Sequence, residues 1–135
     1  NEFMQQEWFK NLGLSRTKMY FTIFKSDKVP IGIVRCDEWD QINNSIRIGI
    51  DIEKSHRTQG YAEEAYRALI PYLFFKLNIH RIWLLVLEYN APAIGLYKKL
   101  GFTEEGVQKA AVLRDARYHN YIMMSLIATD HEQTA

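Results

Sequence analysis

This chain has one cysteine, three prolines, seven glycines and almost no net charge in its 135 residues. Each scarcity excludes something. A lone Cys36 cannot form an internal disulfide, which fits a reducing cytoplasm, and its place at the end of an apolar strand pattern reads as core rather than nucleophile. A formal charge of +1 argues against a dedicated nucleic-acid surface, which needs a clustered basic excess. No apolar run approaches the roughly 20 residues that span a bilayer, so no membrane partner is expected. His56 and His80 have no partner at metal-ligand spacing, and no Cys/His cluster occurs, so no metal is expected. Position 1 is Asn rather than an initiating Met, and residues 1–7 do not resemble a signal peptide. A piece of a longer cytoplasmic chain is the expectation. Apolar residues make up 47% and charged residues 24%, which fits one soluble globular domain over 1–135.

The pattern along the chain predicts a mixed α/β fold. Met4, Trp8 and Leu12 recur every fourth residue and predict a helix over 2–12. Met19–Lys25 and Ile31–Arg35 read as strands around the turn Ser26–Pro30, and Asp37–Asn44 as a polar connection containing Trp39. Ile46, Ile48, Ile50 and Ile52 alternate as a strand of period two. Ala62, Ala65, Tyr66, Leu69 and Leu73 mark a helix from Tyr61 to about Leu77, which Pro71 should kink. Ile82–Leu87 is a continuous apolar run, the mark of a strand buried on both faces. Ala91–Leu100 reads as a helix closed by Gly101. Thr103–Leu113 and Tyr118–Ile127 read as two strands around Arg114-Asp115-Ala116.

Two segments carry chemistry. The strand ending at Ile52 runs through a short polar loop into a helix that opens at Gly60-Tyr61-Ala62. A helix start has unpartnered N–H groups and the positive end of the dipole, and Gly60 and Ala62 leave room for a phosphate to approach. The plain alternative is a helix-entry turn with Arg57 as a solvated charge. The second segment is Asn90-Ala91-Pro92-Ala93-Ile94-Gly95-Leu96-Tyr97-Lys98-Lys99-Leu100-Gly101-Phe102. Asn90 is well placed as a helix N-cap, with Pro92 in the first turn. Tyr97 lies on the apolar stripe Ala93, Leu96, Tyr97, Leu100, where a core aromatic is the plain reading.

Arg57-x-x-Gly60-x-Ala62 resembles the pyrophosphate loop of the GNAT N-acetyltransferases, Gln/Arg-x-x-Gly-x-Gly/Ala. Asn90 to Phe102 resembles the same family's Asn-x-x-Ala/Ser-x-x-x-Tyr-x-x-x-Gly-Phe, in the family's order along the chain. Gly101–Gly106 and Arg117–Met124 are similar to the branch holding RimJ, RimL and the spermidine N-acetyltransferases, with Ala116 and Asn120 where Gly and Asp are usual. The family's opening strand and helix are missing from the front of the chain.

The resemblance implies a GNAT-like α/β (α+β) fold, a single mixed, mostly antiparallel, twisted sheet flanked by helices. It implies acetyl-CoA as co-substrate and a small-molecule amine or a protein N-terminal amine as acceptor. Backbone groups around Ile50 and Ile52 would hold the pantetheine arm. Arg57, Thr58, Gln59, Gly60, Tyr61 and Ala62 would hold the pyrophosphate, and the Asn90 amide would meet coenzyme A. Tyr97 would be the general acid: a phenol of pKa about 10 can protonate a departing thiolate within hydrogen-bond reach. Lys98 and Lys99 could meet nucleotide phosphates, or be an ordinary exposed pair.

The general base stays open. Leu85 and Ile46 occupy the positions where some relatives carry Glu, and Glu88, Asp51, Asp37 or a water chain are the substitutes. Trp39 with Asp37, Glu38 and Asp40 could recognise a cationic acceptor, or be a polar loop. A non-catalytic coenzyme A-binding domain is the alternative from another class, and a generic nucleotide-binding domain a third. A homodimer is compatible with all of this.

Overall fold

Alternation of apolar and polar residues decides most of the strands. The structure is a computed structural model that describes residues 4–10 and 17–134, with side chains from 18 to 131. It divides into two units, residues 1–80 and 81–135, each taken by itself below.

In the first unit β1 (Met4–Lys10), β2 (Thr17–Phe24), β3 (Pro30–Asp40) and β4 (Ser45–Ile52) form an antiparallel meander. Met19, Phe21, Val34, Cys36, Ile46 and Ile48 are buried on one face. A single 3₁₀ turn, Lys54–His56, then leads to helix α1 (Tyr61–Pro71). The helix buries Ala65, Tyr66, Leu69 and Ile70, and the Tyr72 ring beyond it meets Phe21 edge-on at 6.1 Å. Pro71 lacks the N–H that would continue the α ladder, and the chain passes there into a π turn, Tyr72–Lys76.

In the second unit β5 (Arg81–Leu87) is followed by helix α2 (Ala91–Lys99), β6 (Thr103–Arg114), β7 (Arg117–Ile127) and a last helix, α3 (Ala128–Thr134). The strand order is β5-β7-β6, antiparallel throughout. Ile82, Leu84, Val86, Met124 and Leu126 form its buried face. Among the described residues no helix is long and apolar enough to cross a membrane.

The mixed α/β class holds, with three corrections. The helix predicted over 2–12 is wrong: Met4–Lys10 is a strand paired with Thr17–Ile23, and residues 2, 3, 11 and 12 lie outside the described set. A spacing of four is also a multiple of the strand's period of two, so the same apolar pattern fits both elements. The first half of the polar connection Asp37–Asn44 is strand, because the Arg47 guanidinium pairs two-fold with the Asp37 carboxylate at 2.7 and 2.9 Å across the ladder. Only Gln41–Asn44 turns. α3 was not anticipated.

An ion pair ties β5 to the β6 edge: Arg81 Nη2 lies 2.6 Å from Glu105 Oε1. Hydrogen bonds from Arg81 and then Ser125 hold the Glu105 carboxyl below its ordinary value. A carboxylate lowered by folding stabilises the protein above its unfolded pKa, here 4.5, and loses that contribution as pH falls through the folded value. Glu105→Gln should therefore cost about 0.5–1 kcal/mol at neutral pH, after screening of a partly exposed pair. The difference should shrink as pH falls below 4.5. Urea unfolding across pH measures it, and a pH-independent difference contradicts it.

The β6–β7 turn is strained. Asp115 and Ala116 both have positive φ, 51° and 60°. A left-handed alanine costs about 1–2 kcal/mol, while glycine in the unfolded chain returns about 0.4–1. Ala116→Gly should raise stability by about 0.5–1 kcal/mol on the same balance. A loss of stability in urea unfolding contradicts it.

Candidate active site

Which backbone groups β4 turns away from β3 follows from the ladder between them. In an antiparallel ladder, pairs that exchange both hydrogen bonds alternate with pairs that exchange none. The Glu53 N–H donates to the Ile31 carbonyl at 2.7 Å, one step beyond the Gly32–Ile52 pair, so Ile52 is a non-bonded position. The register runs unshifted back to Arg47. Ile48, Ile50 and Ile52 therefore turn their N–H and C=O groups away from β3.

The loop beyond Ile52 is braced by its own side chains. Arg57 Nε donates to the Ile52 carbonyl at 2.9 Å. Thr58, at φ +62°, donates its hydroxyl to the Arg57 carbonyl at 2.6 Å. Gln59 Nε2 donates to the Ser55 carbonyl at 3.2 Å. Ser55 donates to Glu53 at 2.9 Å and lies 3.1 Å from His56 Nδ1, and the His56 ring meets Tyr61 at 6.2 Å. The Arg57, Thr58 and Gln59 side chains thus shape the loop.

Gly60 turns the chain into α1 at φ +84° and offers no side-chain cap. The first bond of the helix runs from the Glu64 N–H to the Gly60 carbonyl at 3.0 Å. Tyr61, Ala62 and Glu63 thus keep N–H groups outside the helical ladder, at the positive end of the dipole. A Cβ built at Gly60 meets nothing within 4 Å, so the approach to these donors is open. Lys54 and Arg57 add cationic character, and Glu63 is drawn back along the helix by Arg67 at 2.9 Å.

In the second unit Asn90 caps α2. Its Oδ1 accepts from the Ala93 N–H at 3.3 Å, and its own N–H donates to the Leu87 carbonyl at 2.9 Å. The cap uses the amide oxygen and leaves the amide N–H donors for another partner. Tyr97 is buried, its ring 5.8 Å from that of Phe102, whose N–H donates to the Tyr97 carbonyl at 2.9 Å. Gly101 has φ +102°, and a Cβ there would stand 3.4 Å from Leu126 Cδ1. Glycine and phenylalanine at 101–102 thus close α2 against β7 and seat the Tyr97 ring. Lys98 pairs with Glu104 at 3.5 Å.

Ile46 is fully buried in the core, and each carboxylate named as a substitute base already has a partner. Asp37 holds Arg47, and Asp51 lies 3.3 Å from Arg35. Both Glu88 oxygens accept from Asn120, at 3.0 and 3.4 Å. That last contact spans 32 residues, and its only signal in the sequence was Asn120 standing where the family pattern has Asp. Asp40 holds the β3–β4 turn, with hydrogen bonds first from Asn43 keeping its carboxyl low. The Trp39 cluster is therefore largely structural. Among the described residues no three His, Cys, Asp or Glu side chains gather as a metal site.

Comparison with known proteins adds four findings. The family model for the acetyltransferase (GNAT) domain matches residues 1–103. An uncharacterized N-acetyltransferase, p20, of Bacillus licheniformis is 33% identical over 81% of this chain and 61% of its own length. A spermidine N(1)-acetyltransferase of Vibrio cholerae is 30% identical over 82% of this chain and 64% of its own. The chain thus spans under two thirds of the length of these two relatives. Among solved structures, the Vibrio cholerae spermidine N-acetyltransferase in complex with CoA and spermine superposes with a TM-score of 0.81. It is 29% identical and covers 85% of this chain and 68% of that one.

Gly60→Val forces a β-branched residue to φ +84° and crowds the open approach. A cost of about 1.4 kcal/mol at the loop donors is a tenfold loss of acetyl-CoA affinity. Calorimetry on the folded variant measures it, and unchanged affinity contradicts the phosphate-loop reading.

Proposed function

The chain belongs to the GNAT acetyltransferase family, and on that footing we propose that it is an acetyl-CoA-dependent N-acetyltransferase that acetylates a primary amine by direct attack. The single observation that carries the reading is the β4–α1 segment, where backbone groups at Ile50 and Ile52, turned away from β3, run straight into a braced loop and the N–H groups of a helix start. In this reading the backbone of Ile50 and Ile52 takes the amides of the pantetheine arm. The N–H groups of Arg57 to Ala62 take the pyrophosphate, and the Asn90 amide donates to the cofactor while its oxygen caps α2.

Attack forms the amide C–N bond and breaks the thioester C–S bond. The departing sulfur carries the electron pair, and Tyr97 gives it a proton. The attacking amine loses one proton. Because Asp37, Asp51 and Glu88 all hold other partners, we assign that proton to water rather than to a carboxylate. A lysine-like ammonium has a reference pKa of about 10.4, so the rate should rise with pH as free amine becomes available.

A polyamine is the favoured acceptor, since spermidine acetyltransferases recur among the relatives and structural neighbours. A protein N-terminal amine is the second arm of the assay. A cytoplasmic setting suits Cys36, a lone buried thiol pushed up to about 12 by burial and then by the nearby Asp37 charge. The occupied carboxylates favour one other reading, a domain that binds coenzyme A without transfer.

Thiol release from acetyl-CoA with spermidine, spermine and N-terminal peptides separates the two. General acid help is worth about 100- to 10,000-fold, so Tyr97→Phe should lower kcat within that range and leave acetyl-CoA affinity unchanged. Full activity in Tyr97→Phe returns that residue to the core, and no thiol release with any amine favours the binding domain.

A further inference from the structure

Lys109, Ala110 and Ala111 of β6 lie opposite a single residue of β7, Asn120, because Gln108 pairs with Tyr121 and Val112 with His119. Such a bulge leaves main-chain groups to be satisfied from outside the ladder. Ala110 sits at φ +52°, and its N–H donates to Asn120 Oδ1 at 2.8 Å. The other end of the same amide, Nδ2, donates to Glu88 Oε2 at 3.0 Å. The Asn120 main-chain N–H donates to Glu88 Oε1 at 3.4 Å, and the Glu88 N–H donates back to the Asn120 carbonyl at 3.1 Å. Beside this joint the rings of Tyr89 and His119 meet edge-on at 5.0 Å.

The chemistry fixes both residue types. An ionised Glu88 can only accept, and the bulge N–H at Ala110 can only donate. The residue between them must do both with one planar group, which an amide does and an ionised carboxylate does not. The joint also sits two residues before the N-cap of α2. Glu88 is anchored, the Asn90 N–H closes onto Leu87, and Asn90 caps Ala93.

We propose that Glu88 is a positioning residue and not the proton acceptor: through Asn120 it closes the β6 bulge and holds the turn that starts α2, and so sets where Tyr97 presents its hydroxyl. The role for Tyr97 rests on the acetyltransferase reading above; the joint does not.

The test uses Asn120→Asp, Glu88→Gln and the double variant in the full chain. Asn120→Asp opposes two carboxylates. The main-chain amides of Glu88 and residue 120 should then exchange about fivefold faster, the equivalent of one lost hydrogen bond. The same variant should lower kcat with acetyl-CoA affinity kept. The double variant reverses donor and acceptor and should restore both readouts. Glu88→Gln alone should keep the acidic limb of the kcat/KM profile, since the titrating group lies elsewhere. Unmoved exchange in Asn120→Asp overturns the joint, as does a double variant no better than the single. Loss of the acidic limb in Glu88→Gln makes Glu88 the base and overturns its positioning role. Absence of thiol release from the unsubstituted chain, with the exchange pattern present, overturns acetyl transfer and the Tyr97 role while the joint stands.

Discussion

An antiparallel ladder can satisfy only alternate residues on each side of a strand, and much of the first unit follows from that rule at β4. Because Glu53 is bonded to Ile31, Ile52 and Ile50 cannot be bonded to β3. Their backbone groups face away from β3, and their side chains need only be apolar. The Ile52 carbonyl already takes the Arg57 guanidinium, which ties the loop back to the strand. The ladder, the loop and the start of α1 are therefore one mechanical piece, and glycine at 60 suits the left-handed φ of the turn into the helix.

Local pattern made much of this legible. The isoleucines at 46, 48, 50 and 52 announced a strand, Asn90 with Pro92 announced a cap, and Gly101 announced a helix end; each signal lies within a few residues of its effect. The first strand departs from the helix its sequence suggests because a four-residue apolar spacing satisfies both elements. β3 is longer than its sequence suggests because Asp37, which alone is loop chemistry, pairs with Arg47 ten residues on. The Glu88–Asn120 contact was out of reach for a stronger reason: it joins residues 32 apart, and nothing local at either end requires it.

The candidate site shows the same division. The loop and Tyr97 stand out in the sequence through motifs whose spacing is set by a helix start and a helix face. No motif singles out a proton acceptor. Asp37, Asp51 and Glu88 each stabilise the scaffold through a nearby arginine or amide. A carboxylate so engaged is a poor base, since its protonation would break the contact that holds it. Water needs no such compromise.

On the proposed function, backbone donors rather than charged side chains hold the cofactor's phosphates. Backbone NMR during titration with acetyl-CoA tests it most directly. Saturable shifts of the amides from Arg57 to Ala62, together with Ile50 and Ile52, are the predicted result. Saturable binding that leaves those amides unmoved, or no binding at all, would contradict it.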